Sequence, residues 1–159
     1  MAHTDSPKDR VLRSARAKGL NVRLIEHEPV KSLPEAARAR GVEPADVIKT
    51  MVVRRGEDDY LLVLVPGDRV ISWPKMRALL DVNRLSMPDA DEAYRVTGFW
   101  RGTITPLGTS APLPVIADER MRGRTVTLGA GEHNIAIAVD ADHLLPALDA
   151  LVADVTEPA

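Results

Sequence analysis

Residues 97–108, Thr-Gly-Phe-Trp-Arg-Gly-Thr-Ile-Thr-Pro-Leu-Gly, form the segment best suited to ligand chemistry. Three glycines and one proline in so short a stretch are incompatible with a regular helix or a central strand. The segment also carries the only phenylalanine and one of the two tryptophans, which need packing partners. We expect either a rigid loop that presents backbone N–H and C=O groups to a ligand or, with equal support, a tight structural turn.

Lys49 is the second candidate, because it lies inside the otherwise almost wholly apolar run 47–53. A lysine in such a run either extends its ammonium to solvent from a strand edge or points into a cavity. The residues by themselves favour the first arrangement. In a cavity, the ammonium would bind a carbonyl, carboxylate or phosphate oxygen.

The histidines and the remaining motifs add little chemistry. His3, His27, His133 and His143 have no spacing typical of a metal site, and the chain has no cysteine, so the sequence predicts no metal centre. His133 follows a second glycine-rich segment, 129–134, and is either a general base or, with more support, a water-facing loop residue. That segment lacks the third glycine of a dinucleotide-binding fingerprint.

Length and composition indicate a single globular domain over residues 1–159. Apolar residues make up 45% of the chain and charged residues 28%, whereas aromatic residues are only 3%. The N-terminus has no apolar segment typical of a signal peptide, and the longest apolar run, 60–65, is too short to span a bilayer. We therefore expect a cytoplasmic protein.

A formal net charge of −2 argues against a dedicated high-affinity nucleic-acid binder. Two small arginine clusters leave room for weak contact with phosphates, although ordinary solvated arginines are the more common explanation. The clusters are Arg10, Arg13 and Arg16, and Arg120, Arg122 and Arg124.

Capping residues, glycines and apolar periodicity predict a mixed α/β domain without strict βαβ alternation. The predicted helices cover 7–18, 33–41, 72–80, 89–96 and 144–152, with Pro146 in the first turn of the last helix. The predicted strands cover 22–25, 47–54, 60–65, 113–117, 125–128 and 135–139, and residues 56–59 predict a hairpin between the second and third strands.

Five motifs in chain order resemble the YbaK/ProX family of aminoacyl-tRNA editing proteins, which are similar to the editing domain inserted in bacterial prolyl-tRNA synthetases. They are Lys49-Thr50, Val65-Pro66-Gly67, the 97–108 segment, the 113–118 strand and Ala130-Gly131. The resemblance extends from about Val11 to Val152. It implies a curved, partly closed mixed β-sheet flanked by helices.

The resemblance also implies an activity, hydrolysis of the ester between a wrong amino acid and the terminal ribose of tRNA. The implied substrate is proline tRNA carrying a small residue such as Cys, Ala, Ser or Thr, bound weakly at its acceptor end, and prolyl-tRNA synthetase is an implied partner. No cofactor is implied. By analogy Lys49 and the backbone of Gly102 carry the reaction, and the implied substrate-binding residues are Thr50, Thr103, Ile104, Thr105, Pro106 and Gly131.

Two positions depart from the cysteine-specific branch of that family, which has a tyrosine where this chain has Ile25 and an aspartate where it has Ala136. Both would contact the substrate, so the resemblance predicts altered or broader amino-acid specificity. Two alternatives stay open. One is a non-catalytic module that binds aminoacyl-tRNA or a synthetase, and the other is a hydrolase of a different activated aminoacyl ester.

Overall fold

A computed structural model describes residues 6–159. The first five residues, part of the N-terminal stretch in which we expect no signal peptide, lie outside the described residues. The helices are α1 (Pro7–Ala17), α2 (Leu33–Arg40), α3 (Trp73–Leu80), α4 (Ala90–Thr97) and α5 (Ala141–Ala147). The strands are β1 (Arg23–Glu26), β2 (Ile48–Gly56), β3 (Asp59–Pro66), β4 (Arg69–Ile71), β5 (Val115–Asp118), β6 (Thr125–Gly129), β7 (Ile135–Asp140), β8 (Leu151–Ala153) and β9 (Thr156–Pro158).

Local capping fixes where the first four helices begin. In each, a side-chain oxygen of the N-cap residue accepts a hydrogen bond from a backbone N–H three residues later; the N-caps are Ser6, Ser32, Ser72 and Asp89. Two of the helices end at glycines in the left-handed conformation, α2 at Gly41 and α4 at Gly98. The same residues carried the sequence signals, so these boundaries agree closely with the prediction.

The strands form three small sheets. Strands β1, β7 and β6 make an antiparallel sheet; β2, β3, β5 and β8 make a mixed sheet; and β4 pairs with β9. A parallel bridge between Val47 and Thr127 joins the start of β2 to β6, so the first two sheets meet along one edge. The mixed α/β class and the partly closed sheet are thus confirmed.

The β2–β3 hairpin separates two hydrophobic clusters. Because side chains alternate along a strand, Ile48 and Val52 pack on one face with Phe99, while Val53 packs on the other face with Met76. The 97–108 segment therefore rests on the same face of the hairpin as Ile48 and Val52. It is fixed to the main core rather than projecting from it.

The prediction for the last helix was wrong. Helix α5 begins three residues earlier than predicted, because Asp140 accepts a hydrogen bond from the Asp142 N–H and caps it there. Pro146 consequently lies in the second turn, beyond the first turn that we predicted for it. The chain leaves the helix at Asp149, whose φ is +52°, and residues 151–153 become strand β8.

No pattern in the sequence predicted strands β4, β8 and β9, each of which has three residues. Strand β8 forms on the edge of β5, with Leu151 opposite Ile116, and β4 pairs with β9 from the far end of the chain, Arg69 opposite Pro158. Such short strands depend on a distant partner for their hydrogen bonds. No local periodicity identifies them.

Candidate active site

A cavity of about 640 Å³ lies beside the outer edge of β2. Its walls are Val47 and residues 48–52 of β2, the turn at Arg101 and Gly102 with Ile104 behind it, and residues 87–90 at the start of α4. The cavity therefore brings together the two segments from which the sequence predicted chemistry, the Lys49-Thr50 pair and the glycine-rich 97–108 loop.

The edge of β2 that faces the cavity has no partner strand over its middle. At one end Val47 bridges to Thr127, and at the other Arg54 exchanges backbone hydrogen bonds with Ser86, at 2.7 and 3.1 Å. Since backbone groups alternate in direction along an antiparallel strand, the N–H and C=O of Thr50 and Val52 point to the same side as those of Arg54. The cavity thus has backbone donors and acceptors along one wall.

The opposite wall is the turn of residues 100–103. The Thr103 N–H and hydroxyl both donate to the Trp100 carbonyl, at 2.9 and 2.7 Å, and the Gly131 N–H donates to the Thr103 carbonyl at 3.1 Å. Gly102 at the tip of the turn is exposed and has a φ of +88°. Within residues 6–159 its N–H makes no hydrogen bond, so a rigid turn holds a free donor at the cavity.

Further contacts immobilise the start of this loop. The Arg10 guanidinium donates to the Gly98 carbonyl at 2.7 Å and lies 5.0 Å from the centroid of the Phe99 ring. The buried Thr97 hydroxyl donates to the Ala93 carbonyl and accepts from the Phe99 N–H. These contacts fix the backbone of residues 97–99, which lead into the turn at Gly102.

Lys49 contributes to the cavity wall, but its ammonium has a partner elsewhere. Nζ donates to the carbonyl oxygen of Arg69 at 2.6 Å. Burial lowers the pKa of Lys49 below its ordinary value, and the negative charge of Asp68 partly opposes that shift. Lys49 is therefore a half-buried cation at the site, and it would have to exchange one carbonyl oxygen for another to contact a substrate.

The other predicted site residues fall into two groups. Thr50 and Ile104 line the cavity, and the Thr50 hydroxyl is buried without a hydrogen-bond partner. The others do not line it: Thr103, Thr105 and Pro106 are buried behind the turn, and Gly131 packs against Pro7 and Phe99.

The two predicted specificity positions lie beside the cavity rather than in its wall. Ile25 is directly opposite Ala136 in the β1–β7 pair, and Ala136 is directly opposite Gly129 in the β7–β6 pair. Opposite residues in antiparallel strands share a face, so the three form one row. Gly129, at the end of that row, does line the cavity.

Sequence reasoning missed Arg40, Arg101 and Asp89, all of which line the cavity. Arg40 is the last residue of α2 and Asp89 caps α4. Because a helix end accounts for each of these residues, no sequence pattern indicated that they also line a cavity. Arg101 adjoins Gly102 but belonged to neither arginine cluster. Only the three-dimensional arrangement of β2, α2 and the 97–108 loop identifies these side chains as neighbours of one cavity.

Two classes of feature are missing from residues 6–159. No group of three or more His, Asp or Glu side chains there converges on a point where it could hold a metal ion. None of the helices in that range is long and apolar enough to cross a membrane.

Comparison with known proteins reveals clear similarity. The family model of the aminoacyl-tRNA editing domain matches residues 27–146. A proline–tRNA ligase of Trichlorobacter lovleyi is 33% identical over 88 residues, which are 55% of this chain and 15% of that protein. One from Fervidobacterium nodosum is 28% identical over 127 residues, 77% of this chain and 22% of that protein. The chain thus spans less than a quarter of these curated relatives.

Solved structures extend the similarity to nearly the whole chain. The crystal structure of a proposed trans-editing enzyme for prolyl-tRNA synthetase has a TM-score of 0.88 and 27% sequence identity. The aligned part covers 98% of this chain and 99% of that one. The fold described above is therefore shared from end to end with a protein of similar size.

Proposed function

Because the chain belongs to the aminoacyl-tRNA editing domain family, we propose that it is a deacylase that acts in trans on mischarged tRNA. The reaction is hydrolysis of the ester between a small amino acid and the terminal ribose of proline tRNA. The observation that carries the proposal is the free N–H of Gly102, held by a rigid turn at a cavity that Lys49 and Thr50 also line.

The proposed mechanism relies on backbone electrostatics. Attack of water on the ester carbonyl develops negative charge on its oxygen, and the Gly102 N–H would donate to that oxygen. A fixed donor of this kind accelerates acyl transfer by about 10²–10³-fold. The ribose oxygen then leaves with a proton, giving a free amino acid and tRNA. The unpaired edge of β2 at Thr50 and Val52 supplies donors and acceptors for the α-amino group and the ribose.

We assign Lys49 a role on the substrate carbonyl or ribose oxygen. Lys49 lines the cavity, and its ammonium already binds one carbonyl oxygen, that of Arg69, so the proposed role requires Nζ to exchange this partner for a substrate oxygen. A role confined to tying β2 to β4 is the competing explanation.

Substitution of Lys49 separates these roles. We expect Lys49→Ala to abolish most deacylation while changing the free energy of unfolding by only about 1 kcal/mol, the net contribution of one hydrogen bond. Lys49→Arg should not restore activity, because a planar guanidinium does not replace a compact ammonium. Single-turnover rates and thermal melts measure the two effects, and wild-type turnover in Lys49→Ala would refute the assignment.

The Ile25–Ala136–Gly129 row supports a preference for small residues with little discrimination among them. It presents no charge or hydroxyl beside the cavity, and an apolar pocket distinguishes substrates by only about 1–3 kcal/mol per methylene. We therefore propose a broader or shifted range of small residues, including alanyl, seryl and threonyl tRNA, rather than strict editing of cysteinyl tRNA. The partners we propose are the acceptor end of aminoacyl-tRNA and prolyl-tRNA synthetase, in the cytoplasm, with residues 1–159 acting as one domain.

The deciding experiment is a deacylation assay with purified protein on those four aminoacylated proline tRNAs, with correctly charged prolyl-tRNA as the control. Catalytic turnover of the mischarged species supports the proposal. Stoichiometric binding without turnover would show a binding module instead. Hydrolysis confined to small aminoacyl esters would show a different substrate class, and a preference for cysteinyl-tRNA above about a hundredfold would overturn the proposed broad specificity.

A further inference from the structure

Arg40 is a cation of the cavity that lacks a counter-ion. Its Nη1 donates to the hydroxyl of Thr127, a fully buried residue, at 3.2 Å. Its Nε is buried and has no hydrogen-bond partner. Burial lowers the pKa of Arg40 and no carboxylate opposes that shift. Arg40 is absent from the ion pairs formed within residues 6–159. Buried charges in proteins are ordinarily paired and buried donors ordinarily bonded, so this side chain has capacity for a further partner.

The position of Arg40 restricts what that partner is. Thr127 bridges to Val47, so Arg40 lies at the end of the cavity where β2 begins. Asp89 lies toward the other end, three residues after Ser86, which pairs with Arg54 near the end of β2. The cavity wall thus has a cation without a counter-ion at the end where β2 begins and a carboxylate toward the other end, and Lys49 and Arg101 also line it.

An aminoacylated tRNA end has a matching polarity. Its α-ammonium is positive, is repelled by a guanidinium, and suits the end near Asp89. Its nearest negative charge is the phosphodiester that joins the last two nucleotides. A guanidinium fork binds such oxygens with two parallel hydrogen bonds, and Arg40 has its Nε and one further terminal nitrogen available for them.

We propose that Arg40 binds the phosphodiester of the terminal dinucleotide of the acceptor strand and so sets the direction in which the aminoacyl end enters the cavity. The inference rests on the proposed function for the identity of the nucleic acid. Arg40 is a substrate-binding residue in this scheme, separate from the groups that act on the ester.

Binding of unacylated probes tests the site without requiring catalysis. The probes are the trinucleotide CCA, which contains phosphodiesters, and adenosine, which contains none; NMR titration gives their dissociation constants. Arg40→Gln should weaken CCA binding by about tenfold or more and leave adenosine binding unchanged, as expected for loss of a charge-assisted hydrogen bond. Arg38→Gln is the matched control, because Arg38 is exposed on the same helix.

Salt and temperature provide two further readouts. The affinity for CCA falls as salt is added, and Arg40→Gln should make this salt dependence less steep by the amount that one phosphate contact contributes. Arg38→Gln should leave the salt dependence unchanged. The melting temperature of Arg40→Gln should equal or exceed that of the wild type, because the unliganded protein loses a partly buried charge that has no counter-ion. If Arg40→Gln fails to fold, Arg40→Lys keeps the charge without the fork and should show a smaller loss confined to CCA.

Each outcome decides the proposal. Unchanged CCA affinity in both Arg40 variants, or an equal loss on CCA and adenosine, would overturn it, and so would preferential hydrolysis of tRNA carrying an acidic residue. If the wild type binds CCA through Arg40 but deacylates nothing, the phosphate site stands and the proposed function fails. If deacylation proceeds with Arg40 irrelevant to CCA binding, the function stands and the phosphate site fails.

Discussion

The 97–108 loop and the 129–134 loop are both rich in glycine, but their glycines meet different surroundings. Gly102 has open space around it, since a Cβ placed there would meet only the His133 ring, at 3.5 Å. Gly131 is enclosed, and a Cβ there would lie 3.0 Å from the Pro7 backbone and 3.1 Å from the Phe99 ring. Both have strongly positive φ, +88° and +87°. Similar sequence and backbone conformation thus give one exposed donor loop and one packed supporting loop.

Glycine content alone therefore does not identify a ligand-binding loop. In the first loop the side chains of Phe99 and Leu107 are buried, and they leave the backbone of the tip free. In the second loop the backbone itself is packed under α1, where the Lys8 N–H donates to the Glu132 carboxylate at 2.9 Å. The following substitutions test whether the loops differ in this way.

The largest expected effect is on stability, from Gly131→Ala. The new methyl group meets backbone at 3.0 Å and also strains a left-handed φ, and each cost is about 1–3 kcal/mol. Gly123→Ala is the matched control, because Gly123 has a φ of +76° but nothing within 4 Å of its Cβ position. Chemical denaturation should show a clearly larger loss of unfolding free energy for Gly131→Ala than for Gly123→Ala. Equal losses would mean that the second loop is as open as the first.

The next effect is on activity, from Gly102→Ala. Its unfolding free energy should match that of Gly123→Ala, since both pay only the φ strain of about 1–3 kcal/mol. Its deacylation rate should fall by about 10²-fold, the effect of displacing one oxyanion donor, while Gly123→Ala retains the wild-type rate. A wild-type deacylation rate in folded Gly102→Ala would show that the 97–108 loop is only a structural turn.

The smallest effect is expected from His133→Gln. His133 belongs to the second loop but reaches the tip of the first, and it is exposed and outside the cavity wall. We expect kcat to change by less than about threefold, far below the about 10²–10⁴-fold of a general base. A hundredfold or greater loss of kcat at an unchanged melting temperature would contradict the distinction between the loops, because both loops would then contribute to catalysis.

Much of the fold could be predicted because its signals are local. Ser6, Ser32 and Ser72 cap helices that begin where predicted, and the apolar runs around residues 56–59 form the expected hairpin. Most errors occur where distant segments pair; the start of α5 is an exception, because its cap, Asp140, is a local signal. Strand β8 exists because β5 offers it an edge, and α5 is shortened accordingly.

The candidate site divides in the same way. The sequence identified Lys49 and the 97–108 loop as candidates, because an apolar run containing one lysine and a glycine loop containing aromatic residues are local anomalies, and the family resemblance added Thr50. The structure brings all three to one cavity. The sequence could not determine that the Lys49 ammonium binds Arg69, that Ile25 and Ala136 stand one row from the cavity wall, or that Arg40 faces the cavity without a counter-ion. Those facts depend on which surfaces the tertiary fold brings together, since hydrogen bonding, burial and charge pairing between residues far apart in the chain exist only after it has folded.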